Sequence, residues 1–227
     1  HYNRAAFEPA LKNLPQINTL FHLENLEVWV TNDRNDVQDT RDIVAFADLG
    51  EPERLTNPAE IQAQVDPLYR EICDGRPLPD NKANNLYERV VANEELQNID
   101  RAVAILQSQF NLRQSIDFEK VRARKLSSRD YTVHPELGFI SLNIQLQPDQ
   151  VLAVSYTYKY NGEPFAVGTS SINRADVTTD ESQTSTVLFT KMLKSTTQQV
   201  NVPAWDLMMK NVYSIGAYPV SYTHLRA

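Results

Sequence analysis

Alternation opens the chain's first readable element. In "FHLENLEVWVTN", Leu26, Val28 and Val30 share one face and Glu27 and Trp29 the other, the period of two that marks a strand. "TNDRNDVQDT" is a polar turn, and "RDIVAFADLG" is a second apolar run closed by Gly50. The pair reads as a β-hairpin, or as two neighbouring strands with a long loop. Helical spacing follows. Asn57 suits an N-cap, Pro58 a first helical position and Glu60 a capping box, and Ile61, Val65, Leu68, Tyr69 and Ile72 recur on one face. Pro67 kinks or splits that helix, and "DGRPLPDN" ends it. From about Asn84 to Phe110, Leu86, Tyr87, Val90 and Val91 make one short apolar face and Ile99, Val103, Leu106 and Phe110 another. This predicts two short helices, or one broken near Asn93.

The period returns to two after Ser115. "DFEKVRARKLSS" is charged on both faces and reads as an edge strand, where charge blocks edge-to-edge pairing. Phe139–Leu146 and Val151–Tyr160 are strands flanking the turn residues Pro148 and Asp149, and Leu152, Val154, Tyr156, Tyr158 and Tyr160 share a face by spacing. Asn161-Gly162 is a hairpin signal, because a type I′ turn needs positive φ at both central residues. The stretch "TSSINRADVTTDESQTS" reads as a long exposed loop, "TVLFTKMLKS" as a strand, "QQVNVPAWDLMMKN" as a turn-helix piece and "VYSIGAYPV" as a final strand. The expected class is α+β: β-rich, antiparallel and sandwich-like, with a small helical insert, in a fragment of a larger chain. The expected division is a β-rich end over 1–54, a helical insert over 55–114, a β-rich domain over 115–220 and a non-native tail over 221–227.

Composition narrows the partners. The 227 residues are 41% hydrophobic and 22% charged, which is globular and not disordered. A net charge of -7 argues against binding nucleic acid or an anionic membrane surface through a basic patch. No apolar run approaches the ~18 residues of a membrane helix, while membrane β-strands stay open because their signal is weak. A lone cysteine, Cys73, rules out an intrachain disulfide, and its place on an apolar helical face reads as packing. His1, His22, His134 and His224 show no zinc spacing, and His134 before Pro135 reads as a solvated turn residue. Asp33, Asn35, Asp36 and Asp39 suggest a calcium loop, but Val37 stands at a ligand position and the glycine of an EF-type loop is missing, so a solvated turn is the default. There is no phosphate-binding glycine loop and no nucleophile elbow, so no enzyme, cofactor or small-molecule substrate is expected. The tyrosine row has two readings, a carbohydrate or adhesion platform and one half of a packed core. Trp205 with Leu207, Met208 and Met209 reads as a packed anchor.

The order of segments resembles the SprA (Sov) family, giant outer-membrane proteins of type IX secretion and gliding motility. The resemblance runs through Leu26–Asn32, Thr40–Glu51, Asn98-Ile99-Asp100, Ala123–Leu126, Leu137–Gly168, Leu188–Thr196 and Pro203–Val220. "WDLMMKNVYSIGAY" is its most specific stretch. Pro58–Asn81 matches nothing in the family pattern, Phe139 stands where Tyr is expected and Ile215 where Leu is expected. The resemblance implies a non-catalytic piece of the N-terminal-type domain that the family carries twice. That domain is part of a β-barrel translocon at the outer membrane and cell surface. A PorV-like outer-membrane protein, a periplasmic plug protein and secreted cargo are the implied partners. The implied signature residues are structural: Trp29, Asp48, Gly50, Gly138, Tyr156, Asn161, Gly162, Trp205, Asp206, Met208, Met209, Lys210, Tyr213 and Gly216. The polar balance and helical insert place the piece outside the barrel wall. "SYTHLRA" is unlike the family continuation and reads as foreign to the fold, and the start at His1 reads as a truncation.

Overall fold

The computed structural model describes residues 12, 19–33, 39–53, 55–64, 78–172, 186–197, 200–202 and 205. Its strands are β1 (Phe21–Thr31), β2 (Thr40–Phe46), β3 (Phe118–Lys125), β4 (Tyr131–His134), β5 (Phe139–Leu142), β6 (Leu152–Tyr160), β7 (Glu163–Val167) and β8 (Leu188–Lys194). Its helices are α1 (Leu86–Ala92) and α2 (Ile99–Ser108), joined by a 3-10 turn over Glu94–Gln97. This is a β-rich α+β chain, as the periodicity predicts. The main sheet runs β1-β3-β2-β8-β6-β7, and β1 also pairs with β6. That last pairing closes five strands into a ring. One edge of β6 carries β1 from Phe21↔Tyr160 to Val30↔Leu152. Its other edge is shared by β8 at Leu152–Val154 and β7 at Tyr156–Tyr160. The pairs are antiparallel except β2–β8, which run parallel. Two flat layers facing each other, the sandwich arrangement, are thus replaced by a sheet closed on itself.

Closure buries both faces of the strands. Inward, Trp29, Ile43, Ala45, Ala47, Ala123, Val151, Ala153, Leu188 and Met192 form the barrel core. Four of these are alanines, which leaves the interior wide enough for one indole. Outward, Val44 and Phe46 of β2, Phe118 of β3 and Phe189 of β8 pack under Leu86, Val90, Leu96, Ala102 and Leu106 of the helical layer. On the far side, Val28, Val30, Leu152 and Val154 are covered by Leu126 and by half-buried Tyr131, Ile140 and Leu142 of the β4–β5 hairpin. Among the described residues no helix is long and apolar enough to cross a membrane, which says nothing of strands.

Five local expectations change. β1 and β2 are not partners, because β3 lies between them. The same fact makes β3 a central strand and not an edge. Three of its charges are paired there: Arg122 with Asp42, Lys125 with Glu27 and Lys120 with Asp100. The helix expected from Asn57 is a single turn over 58–60 followed by a bridge, Ala63↔Asn84. Asn57 does not cap. Its amide donates to Asp48, and its side chain reaches Asp117. Glu60 likewise accepts from the Asn111 side chain. The rest of that expected helix, with Cys73, lies outside the described residues. The break near Asn93 is present, with the Asn93 and Asn98 side chains each accepting from the backbone N–H two residues on. β5 ends at Leu142, four residues before the apolar alternation does. His134 is the last residue of β4 and stacks on Phe139 at 4.3 Å, so it is not a free turn histidine.

The open edge of β7 is managed by chemistry. Ala166 accepts from the Asn81 amide at 2.7 Å and donates to Asp80 at 3.0 Å, while Gly168 exchanges bonds with the Asn81 side chain at 2.8 and 3.2 Å. Two residues before Ala166, on the same outward edge, stands Pro164, which has no N–H to offer a further strand. Gly50 and Gly162 share positive φ, 69° and 86°. A Cβ at Gly50 would meet Val167 Cγ1 at 2.8 Å, while one at Gly162 would meet nothing within 4 Å. Gly50→Ala is therefore expected to cost roughly 2–4 kcal/mol and Gly162→Ala about 1–2 kcal/mol in urea unfolding. Equal costs would mean that the contact with Val167 is soft.

Candidate functional site

The period of two dictates an unusual placement. Glu27 falls on the same face as Trp29, and Glu119 and Lys125 on the same face as Ala123, so the barrel must take in charged side chains. Such groups are stable inside only when paired and hydrogen-bonded. Each end of the barrel solves this in the same way. At one end the Glu27 carboxylate accepts from the Ser171 amide (2.9 Å), the hydroxyls of Ser171 (2.6 Å), Ser170 (3.2 Å) and Ser155 (3.3 Å), and Lys125 Nζ (2.9 Å). Lys125 also lies 5.8 Å from the centre of the Trp29 ring. At the other end Glu119 accepts from the hydroxyls of Thr196 (2.6 Å), Ser195 (2.9 Å) and Ser115 (3.4 Å) and from the Thr196 amide (3.3 Å). Both carboxylates thereby pin chain segments that follow strands: Ser170–Ser171 after β7, and Ser195–Thr196 after β8.

A third cluster joins the barrel to the helical layer. Asp48 is buried, 2% exposed, and accepts from the amides of Thr56 (2.7 Å) and Asn57 (3.0 Å). The Asn84 side chain donates to the Asp48 and Glu51 carbonyls at 2.7 and 2.9 Å. Buried Lys191 donates to the Ala47 carbonyl and pairs with Glu51 at 2.6 Å.

These clusters are internally satisfied, so they offer a substrate little to bind. The hydroxyls near Glu27 and Glu119 donate to those carboxylates. Among the described residues no group of three or more His, Cys, Asp or Glu is placed to hold a metal ion. Asp33 of the acidic loop accepts from the Gln150 side chain at 2.9 Å, Asp39 has φ 55°, and 34–38 lie outside the described residues.

The signature positions take packing and turn roles. Trp29 fills the barrel core, Asp48 is the hub just described, and Gly50 is the close approach to Val167. Gly138, at φ 66°, closes the β4–β5 turn by donating to the His134 carbonyl at 2.8 Å. Asn161 and Gly162, at φ 50° and 86°, make the β6–β7 turn. Tyr156 lies in the outward face of β6 between the hairpin cluster and Tyr158. The tyrosine row shares that face as the spacing predicts, and it is packed. Tyr158 is 1% exposed, stacks on Phe21 at 4.8 Å and Phe165 at 5.2 Å, and donates to the Pro79 carbonyl at 2.6 Å. Trp205 is half-buried, its amide donating to the Val202 carbonyl at 2.9 Å. Asp206, Met208, Met209, Lys210, Tyr213 and Gly216 lie outside the described residues, as does the 221–227 tail. Sequence reasoning missed Glu27, Glu119, Ser170, Ser171, Ser195, Thr196, Asn84 and Lys191. A usable signal existed for Glu27, a carboxylate on the same strand face as a tryptophan.

The two buried acids respond oppositely to pH. Burial alone raises the Glu27 carboxyl, but the Ser171 and Lys125 hydrogen bonds and the Lys125 charge outweigh it and hold it below its ordinary value. Burial raises the Asp48 carboxyl and wins over its hydrogen bonds from Thr56 and Asn57 and the Lys191 charge. The stability that Glu27 contributes is therefore present above the ordinary carboxylate range and is lost as pH falls through its lowered folded value. Asp48 works in the other direction: its contribution is present below that range and is lost as pH rises through its raised value. Glu27→Gln is expected to cost roughly 2–4 kcal/mol at pH 7, because Lys125 is left without its buried partner. It should also flatten the acid limb of a urea-midpoint profile below about pH 4.5. An unchanged acid limb would show that Glu27 carries none of it.

With the geometry in place, comparison adds no identity: no protein-family model matches the chain, and no curated protein matches it.

Proposed function

We propose that this chain is a non-catalytic scaffold domain of a SprA-like outer-membrane translocon, serving type IX secretion and gliding motility at the cell surface. The reading rests first on the ordered sequence resemblance, above all "WDLMMKNVYSIGAY". The observation that supports the scaffold role is the filled barrel. A conduit needs an open polar lumen, whereas this interior is occupied by Trp29, Ile43, Leu188 and Met192 and closed at both ends by pinned carboxylates. A lipid-facing wall needs an uncovered apolar outside, whereas the outer faces here lie under helices and a hairpin. On this reading the small barrel is a rigid body beside a larger pore, with the PorV-like protein, the plug protein and cargo as its partners. A surface adhesion or carbohydrate module is the other reading from sequence, and it would need its tyrosines on the surface; Tyr158 is buried.

The test is to read the genomic locus on both sides of this segment and to tag the encoded protein. The expected result is a frame of thousands of residues rich in alternating strands, whose product co-purifies with a PorV-like outer-membrane protein. A start codon just before His1 with a stop codon just after Ala227 would sink the translocon reading.

A further inference from the structure

We infer that the closed barrel holds one internal water molecule, shared by the indole N–H of Trp29 and the hydroxyl of Thr190. Trp29 is 1% exposed and Thr190 is 0% exposed. Neither Trp29 Nε1 nor Thr190 Oγ1 has a hydrogen-bond partner among the described residues. A buried donor and a buried hydroxyl left dry are costly, and native interiors rarely keep them so.

The strand register places both in one interior. Trp29 sits opposite Ala153, Ala153 opposite Met192, and Thr190 is two residues along β8 from Met192, about 7 Å away. Leu188, Thr190 and Met192 share a face, and Leu188 and Met192 belong to the same core cluster as Trp29. Ala45 is in register with Thr190 and Ala153 with Trp29, while Lys125, in register with Trp29 on β3, is a donor turned to Glu27. The interior carboxylates Glu27 and Glu119 are held at the two ends by serines, threonine and Lys125. Among the described residues no acceptor is placed for the indole. The alanines leave room, and one bridging water spans about 5–6 Å between two polar atoms.

The position also has a dynamic consequence. Trp29 lies on one of the two short seams of the ring, where β1 meets β3 through Trp29–Thr31 and Ala123–Lys125; the other is β6–β8, which carries Ala153 and Met192. Opening either seam would let the water and the indole proton exchange with solvent.

Two measurements test this. A crystal structure at a resolution that shows ordered water should place a peak within about 3.2 Å of both Trp29 Nε1 and Thr190 Oγ1. A dry interior, or a direct bond between the two side chains, overturns the inference. Thr190→Val keeps the shape and removes the hydroxyl, so the water loses one of its two partners. Its Tm is expected to fall by about 2–4 °C. An unchanged or higher Tm means that the hydroxyl was unpaired in the native protein, and overturns the inference independently of the crystal.

Discussion

The structure depends on β1 lying along β6 for its whole length. Without that pairing the chain would have an open sheet with a polar strand, β3, in its middle. With it, the inward face of every barrel strand is removed from water at once. Glu27, Glu119 and Lys125 then cannot be left as solvated surface charges, and the chain supplies hydroxyls and amides at both ends to meet them. Closure therefore comes first, and the polar clusters are its consequences. The register of β1 on β6 is itself over-determined. A slip of one residue would put Trp29 outside and Val28 and Val30 inside, and would uncover the stack of Phe21 on Tyr158.

The helical layer is held by a different logic. Its apolar face covers Val44, Phe46 and Phe189, but its orientation is fixed by polar groups: Asp48 on the turn at 56–57, Asn84 on two carbonyls, and the Asp80–Asn81 pair on the edge of β7. Hydrophobic contact is non-directional and tolerates sliding. Buried hydrogen bonds do not, because a displaced partner leaves a desolvated group. Burial raises the proton affinity of Asp48, so ionising it in place costs part of what its hydrogen bonds contribute. Glu27 has the more favourable balance, with more donors and a paired lysine.

Sequence periodicity made the strands, the broken helix and the β6–β7 turn legible, because alternation, side-chain caps and Asn-Gly are local signals. The order of strands was not legible. The expectation that β3 is an edge comes from its charges, and three of those charges are met by Asp42, Glu27 and Asp100, residues 20 to 98 positions away in sequence. The failed helix at Asn57 has the same origin. A cap residue with a stronger tertiary partner, Asp48, leaves its local role. The hydroxyl clasps at Ser170, Ser171, Ser195 and Thr196 had no local signature, since serine and threonine after a strand ordinarily mark a solvated loop. Of the signature positions, the glycines and the Asn-Gly turn were readable as backbone requirements. Trp29 and Asp48 acquire their roles only from closure.

A filled small barrel is a poor passage and a good bearing surface. Its inside is made of side chains in fixed rotamers, its ends are tied by charge-assisted hydrogen bonds, and its open sheet edge is blocked by Pro164 and the Asp80–Asn81 pair. Each of these removes a way for the domain to deform or to recruit a stray strand. A domain that sits beside moving polypeptide faces both hazards. Extended, partly unfolded cargo is a supply of free strands, and an unprotected edge would capture it. Under the proposed scaffold role, edge blocking at β7 would serve beyond the general avoidance of aggregation, and it would tie the local chemistry of three residues to that role.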